Sequence, residues 1–392
     1  MPKKRSQPRI AIDGMVTPTK RSGIGRYLEN LLYALERRSV DNELFVFLGR
    51  NQKDLAAHTG KSIITIPSRI STEHRIINLF RLQMIVPVIC WLYKIDVLHI
   101  PNEKCLLIKP CSLVFTIHDV GDYINRKRTN LLRFIFRRFS LPLSFRIADH
   151  IIAVSHKTKK DLIRFFHIDP DRISVIYEGV SPNLYDRPSV QFAKKILRNY
   201  SISHSYILFV GELARRKNIP FLVKAFSRYT EEYSSNMELV IVGKDAGAYK
   251  SIKREINKCN LREKVKVTGY INDDDLAALY HFAHCLVLPS MYEGFGLPVI
   301  EAMAKGIPVI VANSGSLPEI VGDAGLVVDC HDINSLKEAL HRLGEDKELY
   351  GRLKVAGLIR SKQFTCEKFV DETYEIYMRV YRERKRKILG QS

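Results

Sequence analysis

The chain has 392 residues, 46% apolar and 27% charged, enough for two domains with full cores and too apolar for a largely disordered protein. A formal net charge of +20 points to an anionic partner, whether nucleic acid, acidic lipid or a phosphorylated substrate. Seven cysteines, at 90, 105, 111, 259, 285, 330 and 366, show neither a Cys-x-x-Cys pair nor a zinc-like histidine spacing, which reads as reduced thiols of a cytosolic protein.

No apolar stretch long enough for a signal peptide follows Met1-Pro2-Lys3-Lys4-Arg5, so export is not expected. Short β-rich runs then alternate with helical stretches, the mark of βαβ units and parallel sheets. The first set of strands is expected at 10–13, 44–48, 63–66, 97–100, 113–117, 151–154 and 175–177. After the first of them, Ser22-Gly23-Ile24-Gly25-Arg26-Tyr27 opens a helix through 36. Gly23 and Gly25 let a phosphate or sugar approach that helix start, while Leu28 replaces the third glycine of a dinucleotide fingerprint and weakens an oxidoreductase reading.

The longest apolar run, 84–93, is broken by Pro87, flanked by Arg81 and Lys94, and too short to span a bilayer, so a buried helix is expected. His118-Asp119 follows the strand at 113–117, at a carboxyl end where ligands bind in open α/β sheets, and Asp119 could orient the imidazole. From 126 to 146, Arg128, Arg133, Arg137 and Arg138 interleave with Leu131, Leu132, Phe134, Ile135, Phe136 and Phe139. Such a pattern suits a basic amphipathic helix on an anionic membrane, and equally a core-facing helix with a solvated arginine face.

Residues 178–205, with Gly179, Pro182 and Pro188, read as the linker region. A second set of strands follows at 207–210, 239–242, 265–268, 285–288, 309–311 and 326–328. Between the first of these and a helix from about Pro220 lies Gly211-Glu212-Leu213-Ala214-Arg215-Arg216-Lys217-Asn218, whose cations could meet a diphosphate as its charge develops. Asp273-Asp274-Asp275 reads as a helix start rather than a metal site, and no P-loop motif is present. Glu293-Gly294-Phe295-Gly296-Leu297-Pro298, followed by Glu301, brackets a glycine-opened turn with carboxylates at the start of a helix through 304. Amides there attract anions and the carboxylates can accept from sugar hydroxyls. A basic helical stretch closes the chain at 367–387.

With these motifs in hand, the chain resembles a retaining glycosyltransferase of family 4 over nearly its whole length. The element at 293–301 and its continuation AMAKGIPVIVANSGSLPEIVGDAGLVVD carry the likeness, supported by FVGELARRKN, the His118-Asp119 pair, VSHKTKKDL and GIGRY. The resemblance implies an α/β, GT-B architecture: two Rossmann-like, doubly wound parallel-sheet domains facing a cleft. These would be an acceptor-binding domain at 1–195 and a nucleotide-sugar donor domain at 196–375. A basic helix or tail at 376–392 would return to the first domain or trail into solvent.

By position, the resemblance implies that Arg216 and Lys217 hold the donor diphosphate, Glu301 the ribose and Glu293 the donor sugar. The amides of Phe295 to Leu297, beside Gly294 and Gly296, would meet hydroxyls and phosphate. His118 would touch the sugar near its reacting carbon, Gly23 to Gly25 would close over the phosphates, and backbone near Tyr270 would read the base. No cofactor or essential metal is implied, the nucleotide sugar being a substrate. Many members carry Arg where this chain has Glu212, whereas Arg215-Arg216-Lys217 resembles a variant common among polysaccharide and O-antigen mannosyltransferases, favouring a GDP-mannose donor.

The expected activity is retaining hexosyl transfer to a lipid-linked saccharide in polysaccharide or lipopolysaccharide assembly. An anionic membrane surface is the expected partner rather than nucleic acid, placing the protein peripherally on the cytoplasmic face. Alternatives are an epimerase or phosphorylase of the same architecture, or a non-catalytic basic scaffold that binds membrane or nucleic acid.

Overall fold

The computed structural model describes residues 7–16, 23–38, 43–52, 55, 60, 62–70, 75–102, 106–124, 131–180 and 188–390, without the side chains of 75–76, 122, 124 and 131–137. The chain divides into two compact units, Met1–Ser181 with Cys366–Ser392, and Pro182–Thr365.

The first unit is a seven-stranded sheet of β1 (Ile10–Asp13), β2 (Leu44–Leu48), β3 (Ile63–Pro67), β4 (Val97–Ile100), β5 (Ser112–Ile117), β6 (His150–Ala153) and β7 (Ile173–Val175). Their order is β3-β2-β1-β4-β5-β6-β7, every pairing parallel. Inner strands such as Leu113, Val114 and Phe115 are covered on both faces, which is why they read as unbroken apolar runs. The last strand lies two residues earlier than expected, because the turn Pro170–Arg172 leads straight into the pairing of Ile173 with Ile151.

The second unit holds β8 (Tyr206–Val210), β9 (Glu238–Val242), β10 (Val265–Gly269), β11 (Cys285–Leu288), β12 (Val309–Ala312) and β13 (Leu326–Val328), in the order β10-β9-β8-β11-β12-β13, again parallel. In each sheet the winding reverses beside the first strand, between β1 and β4 and between β8 and β11. In open α/β sheets ligands bind at such a reversal, outside the carboxyl ends of the strands.

The unit limits differ from the expected 195 and 375 for packing reasons. Helix Val190–Asn199 buries Ala193 and Ile196 against Ala278 of helix Asp273–Phe282, and Tyr200 donates to Asp275 Oδ2 (2.8 Å), so this stretch belongs to the second unit. Helix Cys366–Ile388 buries Cys366, Phe369, Val370, Ile376, Tyr377 and Val380 in the core around β1 and helix Gly23–Arg37 of the first unit.

The expected burial of the 84–93 run is corrected. The chain is helical over Arg75–Phe80, takes a π turn over Arg81–Ile85 and continues as Val86–Leu92; Val86 and Cys90 are buried, while Met84, Val88, Trp91, Leu92 and Tyr93 are exposed. An apolar run reads the same whether one or both of its faces are covered. Among the described residues no helix is long and apolar enough to cross a membrane, and the six described cysteines are unbridged.

Candidate active site

The loop after β8 tightens into a 3-10 turn over Arg215–Lys217, ended by Asn218 in the left-handed region (φ 56°), whose side-chain Nδ2 donates to the Cys330 carbonyl (2.9 Å). The Arg216 carbonyl accepts from the Met291 amide (2.8 Å), tying this loop to the one after β11. Arg216 Nη1 stands 3.0 Å from Glu293 Oε2 and Lys217 Nζ 2.6 Å from Glu293 Oε1. Lys217 and Glu293 are both buried. Burial pushes the Glu293 carboxyl up, but the charges of Lys217 and Arg216, with the close contact to Lys217, outweigh it and hold the group at about 2. Burial draws the Lys217 ammonium down, against the opposing pull of Glu293. The three groups form a preassembled cluster carrying one more positive than negative charge.

Distant backbone fixes the Glu293 loop. The Ser316 amide donates to the Glu293 carbonyl (3.0 Å), and Ser316 Oγ reaches the carbonyls of Glu293 (3.2 Å) and Phe295 (2.7 Å). Gly315, at φ 62°, lies so close that a Cβ would fall 2.3 Å from the Glu293 carbonyl oxygen, so the position admits only glycine. Gly296, at φ 117°, turns the chain into helix Leu297–Ala304, with Pro298 in its first turn, as the glycine and proline punctuation implied. Glu301, buried one turn along, accepts from Tyr280 Oη (2.9 Å) at Oε2. Tyr270 follows β10 at the sheet edge and is exposed.

Of the residues anticipated from sequence, the second unit joins Arg216, Lys217 and Glu293 by direct contact and holds Gly294, Phe295, Gly296, Leu297 and Glu301 on the adjoining turn and helix. Asp273 to Asp275 open helix Asp273–Phe282, with Asn272 Oδ1 accepting from the Asp275 amide (2.8 Å) as the cap. Among the described residues no group of three histidines, cysteines or carboxylates is placed to hold a metal.

The remaining anticipated residues lie in the first unit. Gly23 and Gly25 form the first turn of helix Gly23–Arg37. His118 follows β5, with Nδ1 2.9 Å from Glu178 Oε1, Nε2 3.1 Å from the Pro101 carbonyl oxygen, and the Tyr27 ring edge-on at 4.7 Å. The carboxylate described on the imidazole is thus Glu178, whereas Asp119 Oδ1 accepts from the Gly121 amide (2.8 Å) at the turn into Gly121–Ile124. Behind the histidine runs a buried polar chain: Tyr27 Oη to Thr116 Oγ1 (2.8 Å), Thr116 Oγ1 to His99 Nε2 (2.8 Å), and His99 Nδ1 to Tyr377 Oη (2.6 Å). Burial, with the nearby His118, pulls His99 down to about 3, so it is neutral at physiological pH. At the end of β1, Arg81 Nη2 meets both oxygens of Asp13 at 2.8 Å, buried throughout.

The sequence did not reveal Glu178, Tyr280, Gly315 or Ser316 as supports. Only Glu178 left a trace, as a carboxylate just beyond the last strand of its sheet. Arg128 lies outside the described residues, as do the side chains of Arg133 and Arg137; Arg138 is exposed and donates to Tyr123 Oη (3.1 Å).

Residues 21–184 match the profile of Glycosyltransferase Family 4, and residues 200–358 that of Glycosyl transferases group 1, so the two profiles together take in most of both units. The chain belongs to the family 4 glycosyltransferases. This glycosyltransferase is 28% identical over 369 residues to O-antigen chain mannosyltransferase B of Escherichia coli, covering 91% of the chain and 96% of that protein. It is also 28% identical to the serotype-specific mannosyltransferase WbdA of Escherichia coli over 266 residues, which are 65% of this chain and 32% of that longer protein. Its fold is that of sucrose-phosphate synthase from Thermosynechococcus elongatus, with a TM-score of 0.78 at 23% identity over 96% of this chain and 100% of that one. Its two Rossmann-like units are therefore those of the GT-B class.

Proposed function

We propose that the protein moves mannose from GDP-mannose to a hydroxyl of a lipid-linked saccharide, with retention at the anomeric carbon and without an essential metal, in polysaccharide or O-antigen assembly. The observation that carries this reading is the cluster of Arg216, Lys217 and Glu293 at the strand reversal of the second unit. Two cations held by one carboxylate leave a net positive site for a diphosphate, and fixed charges of this kind need no reorganisation as the leaving group charges. Arriving phosphates compete with Glu293 for its cations, freeing its carboxylate to accept from a hydroxyl of the donor sugar. The bond from the anomeric carbon to phosphate breaks, the acceptor oxygen bonds to that carbon, and the acceptor proton passes to the departing diphosphate.

Glu301 takes the ribose hydroxyls, and the first-turn amides from Phe295 to Leu297 take the sugar and phosphate oxygens. Backbone near Tyr270 meets the base, Gly23 to Gly25 approach the phosphates, and His118 touches the sugar near its reacting carbon. The mannosyltransferase relatives support the choice of donor sugar. Work on a lipid-linked acceptor places the protein peripherally at the cytoplasmic face.

Lys217→Ala is the decisive variant. Loss of one charge-stabilising contact costs about 3 kcal/mol at the transition state, so turnover should fall by about two orders of magnitude. Near-normal turnover in a folded Lys217→Ala protein sinks the assignment. A thermal-shift panel names the donor, because a ligand that binds only the folded state raises its melting temperature, and GDP-mannose should stabilise most.

A further inference from the structure

The helical stretch from Arg75 to Leu92 is apolar on both sides. Leu82, Val86 and Cys90 are buried in the first unit's core, while Ile77, Phe80, Met84, Val88 and Trp91, spaced three or four residues apart, form a single outward stripe. Their exposure is high: 61% for Phe80, 48% for Met84, 54% for Val88 and 77% for Trp91. Leu92 and Tyr93 extend the stripe, and Leu107 and Ile108 adjoin it, the Leu107 amide donating to Gln83 Oε1 (2.9 Å). A surface helix ordinarily turns polar side chains outward, and an apolar patch of this extent marks an interaction surface.

Charge identifies what covers it. No Asp or Glu occurs from 75 to 95 or from 106 to 118, Arg75 and Lys94 bracket the stripe in sequence, and the whole chain carries +20. Arg81, within the stripe's own helix, is turned inward onto Asp13, so it leaves the outward face wholly apolar. A second copy of this chain would bring like charge against like charge. An aromatic and aliphatic stripe ending in tyrosine and lysine instead matches the boundary between lipid headgroups and acyl chains.

We propose that this face seats the protein on an anionic bilayer surface, with Phe80, Met84, Val88 and Trp91 entering the acyl boundary and Lys94 meeting lipid phosphates. It is distinct in sequence from the arginine-rich segment at 126–146, and it commits to shallow apolar insertion, not attraction by charge alone. The donor chemistry proposed above is not needed for it.

Trp91 is the chain's one tryptophan, so the intrinsic emission of the full-length protein reports on this face alone. Mixed with vesicles of phosphatidylglycerol in phosphatidylcholine, the protein should pellet, and its emission should shift to the blue and be quenched by lipids brominated in the acyl chain. Val88→Glu, a change at an exposed position, should weaken vesicle binding at least about tenfold, while the melting temperature and stabilisation by nucleoside diphosphates stay at the unmodified values. Pelleting with unmoved tryptophan emission would place the membrane contact elsewhere, and absence of pelleting would remove it. A dimer in sedimentation equilibrium that Val88→Glu dissolves would make the occupant a second copy; each of these three results overturns the proposal.

Discussion

The two units reverse their winding at the same place in the strand order, yet they set opposite chemistry there. In the second unit two cations share one carboxylate, leaving a net positive cluster of buried and half-buried groups. In the first, Asp13 takes Arg81 one to one, and the polar chain behind His118 is held uncharged at His99. Topology supplies the location, and the loop residues decide what is recognised there. One unit presents two cations on a single carboxylate, and the other holds a single imidazole between a carboxylate and a backbone carbonyl.

Removing the Glu293 charge is the largest way to break that contrast. In Glu293→Gln, Lys217 stays buried without its partner, and breaking a buried pair in this way costs about 3–5 kcal/mol of stability. Because the folded carboxyl lies at about 2 against a usual 4.5, the pair's contribution is fully present above about pH 4.5 and is lost as the pH falls towards 2. Urea unfolding across that range should show the two proteins far apart at neutral pH and converging in acid. A gap that stays constant down to pH 2 would mean that the ionised carboxylate is not what stabilises the loop.

The same contrast explains what could be read from the sequence. Central strands such as β8, and β5 over Leu113 to Phe115, are covered on both faces, so they appear as apolar runs that no helix period disturbs. The Glu293 turn was legible because Gly296 and Pro298 each carry a backbone requirement in their identity. The supports were not, since they arrive from far along the chain: Ser316 beneath Glu293, Tyr280 against Glu301, and Glu178 beside His118. Assigning the histidine's carboxylate partner to its neighbour Asp119 followed proximity in sequence, whereas the fold closes that contact across 60 residues. The stripe from Phe80 to Trp91 failed for another reason: apolar composition shows that a face avoids water, not whether the fold covers it.

Glu178→Gln sharpens the comparison from the first unit's side. The amide keeps a hydrogen-bonding oxygen near His118 Nδ1 but removes the charge, so the imidazole should lose orientation and not its place. Turnover should fall about tenfold, equivalent to about 1.4 kcal/mol, with most of the donor affinity kept because the cluster of Arg216, Lys217 and Glu293 belongs to the other unit. Glu178→Asp should recover part of the loss. A rise in KM for the donor with kcat intact would instead make Glu178 a binding residue.

The smallest effect is expected at the far end of the polar chain. Tyr377 comes from the C-terminal helix, and its hydroxyl meets His99 Nδ1 across 278 residues of sequence, so the bond fastens that helix to β4. Tyr377→Phe keeps the buried ring and deletes the hydroxyl, at a cost of about 1 kcal/mol, which for a unit of this size lowers its melting temperature by about 2–4 °C. Because His99 is already neutral, no charge is exposed by the change, and turnover should move less than in Glu178→Gln. If Tyr377→Phe instead cut turnover as deeply as Glu178→Gln, then the chain through His99, Thr116 and Tyr27 would be positioning His118 itself, and the first unit's site would extend to the C-terminal helix.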